Sequence, residues 1–317
     1  MTTEFSRRDL LTTGLACGAA FAGVPQGATA AEPARSKDKP FGYCLNTATI
    51  RGQDVGIVRE VEIAAEAGYD AIEPWMGTLD NYVKGGGSLK DLGKRISDLG
   101  LTVESAIGFA QWIVDDNAAR EKGMEQAKRD MATLAAIGGK RIAAPPAGAT
   151  DKDKPSPELK NAAARYLKLL ELGDQMGIVP EAEVWGFSKT LSRLSETVYV
   201  AVESGHPKAC VLPDVYHLHK GGSGFEGLKL LSGVAVQMFH INDYPADPPR
   251  ETIKDEHRVY PGDGVAPLPE MLRDLRLAGF QGFLSLELFN RDYWKQDPLS
   301  VAKTGLEKMK ATVAKMA

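Results

Sequence analysis

The chain is poor in cysteine, and this limits how its fold can be held together. It has 317 residues and only three cysteines, Cys17, Cys44 and Cys210. Three cysteines cannot build a disulfide framework, so packing has to stabilise the fold. Cys44 and Cys210 could form one disulfide in an oxidising compartment, but we predict that both are buried free thiols.

A basic excess is also missing. The chain has 38 Lys and Arg against 42 Asp and Glu, which gives a formal net charge of −4. Proteins that bind nucleic acid usually carry a basic excess or a basic stripe, so we exclude nucleic-acid partners. The hydrophobic fraction of 43% suffices for a full core, which excludes a disordered chain.

Nucleotide-binding motifs are missing as well. No G-x-G-x-x-G follows the first apolar run, and the glycines at 85–87 lie in a predicted loop. The Pro-Gly-Asp-Gly turn at 261–264 lacks the Lys and Ser/Thr of a phosphate-binding P-loop. We therefore expect no nucleotide cofactor. Histidine is absent from the first 205 residues, and all five histidines fall in the remainder of the chain.

The first thirty residues contain three elements of an export signal, in order. Arg7 and Arg8 precede a weakly apolar run at 10–24, and Ala28-Thr29-Ala30 has the small-x-small pattern that signal peptidases cut. The run is too short to span a bilayer as a helix, which needs about 20 apolar residues. The segment resembles a twin-arginine export signal. We predict a signal peptide at 1–30, a linker at 31–40, export to the periplasm and no other membrane segment.

Beyond residue 40, eight short apolar runs alternate with longer amphipathic stretches. We predict strands at 42–46, 71–75, 102–107, 141–144, 179–184, 209–214, 236–242 and 282–288. We predict helices at 55–67, 89–99, 118–137, 157–176, 189–204, 224–231, 268–278 and 298–315. Four helices are followed by a glycine that suits a left-handed C-cap, namely Gly68, Gly100, Gly177 and Gly279.

Strands separated by helices imply βαβ crossovers and a parallel sheet. Eight such units in about 280 residues match an α/β fold with a single (β/α)8 TIM barrel, which we place at 41–317. A doubly wound sheet is the second choice, because it lacks its usual glycine motif here.

Barrel enzymes place their chemistry at the carboxyl ends of the strands. Strands 5 to 8 end near Glu183, Asp214, His240 and Glu287, so a closed barrel would bring three carboxylates and one imidazole to one point. Each residue alone is usually a solvated rim group or a satisfied core group. Together, three buried carboxylates repel one another unless a cation lies between them. We therefore predict one divalent metal ion, and the oxygen-rich set with one His suits Mn²⁺, Mg²⁺, Co²⁺ or Zn²⁺.

Motifs on these four strands carry a resemblance to a known family. They read P-E-A-E-V-W at 180–185, L-P-D-V-Y-H at 212–217, F-H-I-N-D at 239–243 and L-S-L-E-L at 284–288. From about residue 41 onward, the chain resembles the xylose isomerase-like sugar phosphate isomerase/epimerase superfamily of metal-dependent TIM barrels. The resemblance assigns the metal ligands to Glu183, Asp214, His240 and Glu287. It assigns substrate contacts to two further residues, His217 and Arg258.

The resemblance also implies a reaction, the isomerisation or epimerisation of a small sugar or sugar-derived substrate. In it the metal holds adjacent hydroxyl and carbonyl oxygens and stabilises a cis-enediolate, while Glu183 and Glu287 act as general base and acid. Two positions depart from the ketose 3-epimerase branch, which has Glu and Arg where this chain has Lys189 and Ala246. Lys189 could pair with an anionic substrate, although a Lys at a helix start is usually only solvated.

Three interpretations of the site stay open at this stage. The first is the isomerase or epimerase. The second is a lyase or dehydratase that forms the same enediolate from a keto-sugar, keto-inositol or 3-keto-glycoside and then expels a leaving group. The third is a non-catalytic sugar-binding barrel, which would not require both glutamates. All three allow a homo-oligomer. Aromatic residues near the predicted mouth could wall the pocket, namely Trp75, Trp112, Trp185, Phe289 and Trp294.

Overall fold

The computed structural model describes residues 40–153 and 155–316. The predicted signal peptide at 1–30 and almost all of the linker at 31–40 lie outside the described residues. Eight parallel strands follow one another along the chain: β1 Gly42–Asn46, β2 Ala71–Glu73, β3 Thr102–Val103, β4 Arg141–Ala144, β5 Val179–Glu183, β6 Val211–Leu212, β7 Met238–Ile241 and β8 Phe283–Leu286.

The strands close into a barrel. Two ladders have the orders β3-β2-β1-β8-β7 and β4-β5-β6. Ala106 joins β3 to β4 by accepting a hydrogen bond from Ala143 N and donating one to Arg141 O. A parallel bridge between Asp214 and His240 joins the β6 and β7 strand ends. The predicted (β/α)8 TIM barrel is confirmed, and the doubly wound alternative is wrong because β1 pairs with β8.

The helices surround this barrel, and most lie within two residues of their predicted bounds. They are α1 Ile57–Ala67, α2 Met76–Lys84, α3 Leu89–Asp98, α4 Asn117–Ala136, α5 Leu159–Met176, α6 Leu194–Glu203, α7 Val215–Lys220, α8 Leu268–Leu277 and α9 Pro298–Ala314. Short 3-10 segments occupy Thr47–Gln53, Glu226–Leu230, Asp255–His257 and Tyr293–Lys295. None of the helices in the described part of the chain combines the length and the apolar surface that a bilayer crossing requires.

Several of the element predictions need correction. The helix predicted at 189–204 begins only at Leu194, because Leu191 adopts a left-handed φ of 54° and its carbonyl accepts a hydrogen bond from Trp185 N. The helix predicted at 224–231 is a single 3-10 turn. Helices α2 and α7 were not predicted; α7 spans only six residues, too few to show a helical period. The four predicted glycine caps do adopt positive φ, between 70° and 93°.

A small apolar layer fills the barrel below the mouth, and it sets the register of the site. Its members are Cys44, Ala71, Ile107, Ala143, Leu212, Met238 and Phe283. Side chains two positions further along a strand face the same side. Moving two residues beyond Cys44, Ala71, Leu212, Met238 and Phe283 therefore gives a polar layer directly above, made of Asn46, Glu73, Asp214, His240 and Ser285, all fully buried. Both Cys44 and Cys210 are buried free thiols, as predicted.

Candidate functional site

The structure brings the four predicted metal ligands together at the carboxyl end of the barrel. Ligand atoms of Asp214, His240 and Glu287 all lie within 4.8 Å of one another, and all three residues are buried. His240 Nδ1 is 3.4 Å from Glu287 Oε2, 3.8 Å from Asp214 Oδ2 and 4.0 Å from Glu183 Oε1. Three carboxylates therefore surround one imidazole nitrogen.

The other nitrogen of His240 is occupied by a residue that the sequence analysis missed. Nε2 lies 3.1 Å from Glu73 Oε2, at the end of β2. Glu73 in turn accepts hydrogen bonds from Ser285 Oγ at 2.7 Å and Asn46 Nδ2 at 2.9 Å. A carboxylate behind a histidine fixes the ring and leaves the far nitrogen free to bind a metal. A strand of three residues carries too little alternation to mark Glu73 in the sequence, and only the inward-facing position of Ala71, two residues before it, identifies Glu73 in the structure.

The charges of this cluster are not balanced by hydrogen bonds alone. Burial would raise the pKa of Glu73, but the charge and hydrogen bond of His240 hold it below the ordinary value. Burial raises the pKa of Glu183 well above its usual range, although His240 opposes this. The buried atoms Glu183 Oε2 and His240 Nδ1 have no hydrogen-bond partner within the described residues. This donor set of carboxylate oxygens and one imidazole nitrogen fits a divalent cation.

Arg258 lies inside the same cluster. Its Nη1 donates to Asp214 Oδ2 and to Glu287 Oε2, both at 2.9 Å, and its Nη2 donates to Asp255 Oδ1 at 2.6 Å. The guanidinium carbon also lies over the ring of Tyr216, 4.4 Å from its centroid. The Arg258 side chain is 1% exposed, so its contacts with Asp214 and Glu287 are buried, whereas Asp255 is partly exposed. Arg258 therefore ties Asp214 and Glu287 together, whereas Glu183 has no such cationic donor among the described residues.

A carboxylate fixes the loop that carries Arg258. Asp243 and Val259 exchange two backbone hydrogen bonds, which aligns the segment beside the end of β7. The Asp243 side chain accepts from the backbone N–H groups of Gly262 at 3.0 Å and Gly264 at 3.1 Å. The Pro-Gly-Asp-Gly turn is thus folded around an internal carboxylate.

His217 stands beside Arg258 as a neutral donor. Its Nε2 is 3.2 Å from Arg258 Nη2, which can only donate, so the ring proton belongs on Nδ1. Burial lowers the pKa of His217 to about 4, and Arg258 adds to this against the opposite effect of Asp214. The Nδ1 atom is buried and has no partner within the described residues. The site therefore presents one N–H group that is available for an oxygen atom of a ligand.

Lys189 and Glu181 occupy different environments from this cluster. Lys189 is exposed, and its Nζ donates to the carbonyl of Lys152 at 3.0 Å; the structure does not place it among the buried groups. Glu181 lies one layer deeper than Glu183 on the same side of β5 and is fully buried. Burial raises the pKa of Glu181 to about 8, against the attraction of Arg141, so its carboxyl is mostly protonated at neutral pH.

Aromatic rings form a continuous series at the mouth of the barrel. Trp75 contacts Phe289 at 5.9 Å and Phe109 at 5.3 Å between ring centroids, and Phe109 contacts Trp185 at 5.9 Å. Phe187 continues the series from Trp185 at 5.0 Å. Two other tryptophans named from the sequence have different contacts: Trp112 is buried against Tyr166, and Trp294 donates to the Ala48 carbonyl.

Comparisons with known proteins agree with this architecture. The family described as "Xylose isomerase-like TIM barrel" matches residues 61–312. An inosose isomerase of Bacillus velezensis is 30% identical over 284 residues, covering 86% of this chain and 97% of that protein. An inosose isomerase of Bacillus subtilis is 28% identical over 259 residues, covering 80% and 90%. The crystal structure of the IOLI protein with a binding zinc atom superposes with a TM-score of 0.81 at 24% identity, covering 87% of this chain and 99% of that one.

Proposed function

The chain belongs to the xylose isomerase-like TIM barrel family and is an enzyme of the isomerase/epimerase class, and we propose that it is a divalent-metal-dependent isomerase of a keto-inositol. The observation that carries the proposal is the buried cluster in which the carboxylates of Asp214, Glu287 and Glu183 lie around Nδ1 of His240. The substrate class is supported by the inosose isomerases of Bacillus, which align over almost their whole length.

The proposed reaction moves a carbonyl group to the neighbouring carbon of the ring. A proton leaves the carbon that bears the hydroxyl group, a proton is delivered to the former carbonyl carbon, and one proton passes between the two oxygens. The substrate and the product are isomers, so no external oxidant or reductant is needed. A divalent ion held by the four ligands would supply Lewis-acid stabilisation of the negative charge that develops on these oxygens.

Proton transfer and substrate contact are assigned to the chain's own side chains. Within the described part of the chain, Glu183 is the predicted ligand whose carboxyl group has no cationic hydrogen-bond donor, and its raised pKa suits it to accept a proton. Glu287, which is paired with Arg258, serves as the opposite acid–base partner. His217 donates from Nδ1 to a substrate oxygen. Lys189 lies outside the buried cluster, so a direct role for it would require an anionic group at the rim of the site.

The test is hydrogen exchange at the substrate in D₂O, followed by NMR. We expect the wild-type protein with Mn²⁺ to place deuterium on the carbon next to the carbonyl group of an inosose without release of water. Glu183→Gln and Glu287→Gln should abolish exchange while metal still binds in part. Glu181→Gln is the matched control, because it removes a carboxyl that is already mostly neutral from the same strand.

The outcomes separate the three interpretations. Exchange at the wild-type rate in Glu183→Gln or Glu287→Gln would contradict the acid–base assignment. Loss of water or of another leaving group from the substrate would identify a lyase. Saturable binding of sugars without exchange or turnover would identify a binding protein.

We also propose that residues 1–30 export the folded enzyme to the periplasm through the twin-arginine pathway. The support is the order of the arginine pair, the apolar run and the Ala28-Thr29-Ala30 site. Replacement of both Arg7 and Arg8 by Lys should leave the protein in the cytoplasmic fraction, uncleaved. Cleaved periplasmic protein from this variant would contradict the proposal.

A further inference from the structure

A basic pocket lies beside the mouth of the barrel, next to the cluster described above. Its volume is about 390 Å³. Four basic residues line it, Lys152, Arg193, Lys220 and Arg250, together with a single acidic residue, Glu251. These residues come from three loops and the end of α7, which are far apart in sequence. The fold has therefore gathered like charges that the chain does not place together.

Gly222 is the point at which two of these cations meet. A Cβ atom at this position would overlap Arg250 Nη1 and would lie 3.9 Å from Arg193 Nη1, so both guanidinium groups lie over the same glycine. Gly222 also has a φ of +72°, which favours glycine. Two guanidinium groups that converge without a carboxylate between them repel each other unless an anion is shared.

Lys220 fixes the position of Arg250. Its Nζ donates to the carbonyl oxygens of Arg250, Glu251 and Ile253 at 2.9–3.0 Å. Three bonds from one ammonium group fasten this loop to the end of α7, so that the Arg250 side chain reaches across Gly222. Burial lowers the pKa of Lys220, and the charges of Lys152 and Arg250 add to this against the opposite effect of Asp255 and Glu251. The pocket is thus built by specific contacts and is already electropositive.

Glu251 does not neutralise the pocket. It pairs with Arg250 at 3.1 Å, but the side chains are 67% and 48% exposed. An exposed pair of neighbours along the chain contributes little and leaves the guanidinium available to a better anion. Neither Arg193 nor Lys152 forms an ion pair with any residue of the described chain.

The pocket borders the candidate active site through one ring. Phe187 lines the pocket, and its ring also packs against His217 with 5.5 Å between centroids. We infer that this pocket binds a phosphate-type oxyanion, held by the guanidinium groups of Arg193 and Arg250. Guanidinium groups bind such anions through paired hydrogen bonds, which makes arginine the residue of choice for this role. The inference does not depend on the reaction or on the metal proposed above.

The test is calorimetric titration of the full-length protein with inorganic phosphate, at constant ionic strength maintained with chloride. We expect saturable binding with a Kd of about 1 mM or tighter. The double variant Arg193→Gln/Arg250→Gln should bind at least about tenfold more weakly. Both side chains are exposed, so the variant should fold normally, which its melting temperature will report. The matched control is Arg273→Gln/Arg276→Gln, which removes the same charge from exposed positions on α8 and should bind phosphate like the wild type.

A second titrant, an inositol monophosphate, distinguishes the source of the anion. Affinity equal to that of phosphate would indicate a separate anionic ligand, whereas tighter binding that Glu287→Gln alters would indicate a substrate that spans both pockets. Either result supports the pocket. Equal phosphate affinity in the pocket variant and the α8 variant, or no saturation in the wild type, would overturn the inference.

Discussion

Replacement of Glu73 by Gln gives the sharpest test of how the candidate metal site is organised. Glu73 is not among the predicted metal ligands, yet its Oε2 lies 3.1 Å from His240 Nε2. To bind a metal through Nδ1, the ring must be neutral with its proton on Nε2, where a carboxylate acceptor stabilises it. Loss of that negative charge makes Nδ1 a poorer ligand, and such changes behind a metal ligand typically weaken metal binding by about 10- to 100-fold.

The size of the effect can be measured without turnover, through the stabilisation that the metal gives to the fold. At a metal concentration of 100 times the wild-type Kd, binding raises the unfolding free energy by about 2.7 kcal/mol. The same concentration should give only about 1.4 kcal/mol if Glu73→Gln weakens binding tenfold, and about 0.4 kcal/mol if it weakens binding 100-fold. Urea unfolding of the chelator-treated and the metal-loaded protein, and a competition titration against a fluorescent chelator, provide two independent values.

Ser285→Ala is the matched control for this experiment. Ser285 donates to the same carboxylate at 2.7 Å, so its loss removes one hydrogen bond but keeps the charge behind His240. We expect the metal-free variant to lose about 1 kcal/mol of stability and to retain nearly the wild-type metal affinity. Metal affinity in Glu73→Gln equal to that of the wild type would refute the argument. An equal loss in both variants would mean that packing, and not charge, controls the ligand.

Three further predictions concern stability. Burial raises the folded-state pKa of Glu60 to about 7, so the stability that its protonated form contributes is present at acid pH and is lost as the pH rises through 7. In urea unfolding, Glu60→Gln should therefore be more stable than the wild type by up to about 3 kcal/mol at pH 8 and should differ little from it at pH 4. Tyr166→Phe should lose about 1–3 kcal/mol, because the buried hydroxyl donates to the Pro180 carbonyl at 2.8 Å; an unchanged urea midpoint would contradict this. Gly173→Ala should lower the free energy of unfolding by about 1–3 kcal/mol, because the new Cβ atom would overlap the backbone just before β5. Gly77→Ala on α2 is the contrast, because its Cβ atom would contact no described residue and should not destabilise the fold. Calorimetric melting of both variants tests the difference.

The barrel itself could be predicted from the sequence because the same strand–helix unit repeats along the chain. Short apolar runs alternate with longer amphipathic stretches eight times, and β1 and β4 have the predicted bounds. The largest strand errors fall at the mouth, where β2, β3, β6 and β8 end earlier than the apolar pattern suggests. After β2 and β6 the chain leaves the ladder to enter α2 and α7, and Asp214 caps α7 by accepting from His217 N at 2.8 Å. After β3 the chain enters a loop that leads to α4. Asp214 is both the N-cap of α7 and a predicted metal ligand. Because α7 has only six residues, the sequence shows no helical period that would identify Asp214 as a helix start.

Of the polar layer, Asp214 and His240 could be predicted from the sequence, whereas its other members could not, because the strands are short. Strands of two to five residues show too little alternation to reveal which side faces inward, so Asn46, Glu73 and Ser285 were not distinguishable from rim residues. Once the apolar layer below is known, the period of two identifies them. Their grouping depends on strand register, such as Asn46 opposite Glu73 and His240 opposite Ser285, which only the closed barrel determines.

The roles within the site follow from charge placement, which the sequence does not contain. Four buried carboxylates, Glu73, Glu183, Asp214 and Glu287, share the cations of His240 and Arg258. Glu73 takes one side of His240, and Arg258 bridges Asp214 and Glu287. Glu183 has only the more distant contact with His240 Nδ1, at 4.0 Å, and burial raises its pKa well above the usual range although His240 opposes this. A group in this position gains most from a cation placed between it and His240 Nδ1. The same asymmetry that makes Glu183 the weakest partner in the cluster therefore makes it the strongest candidate for proton transfer.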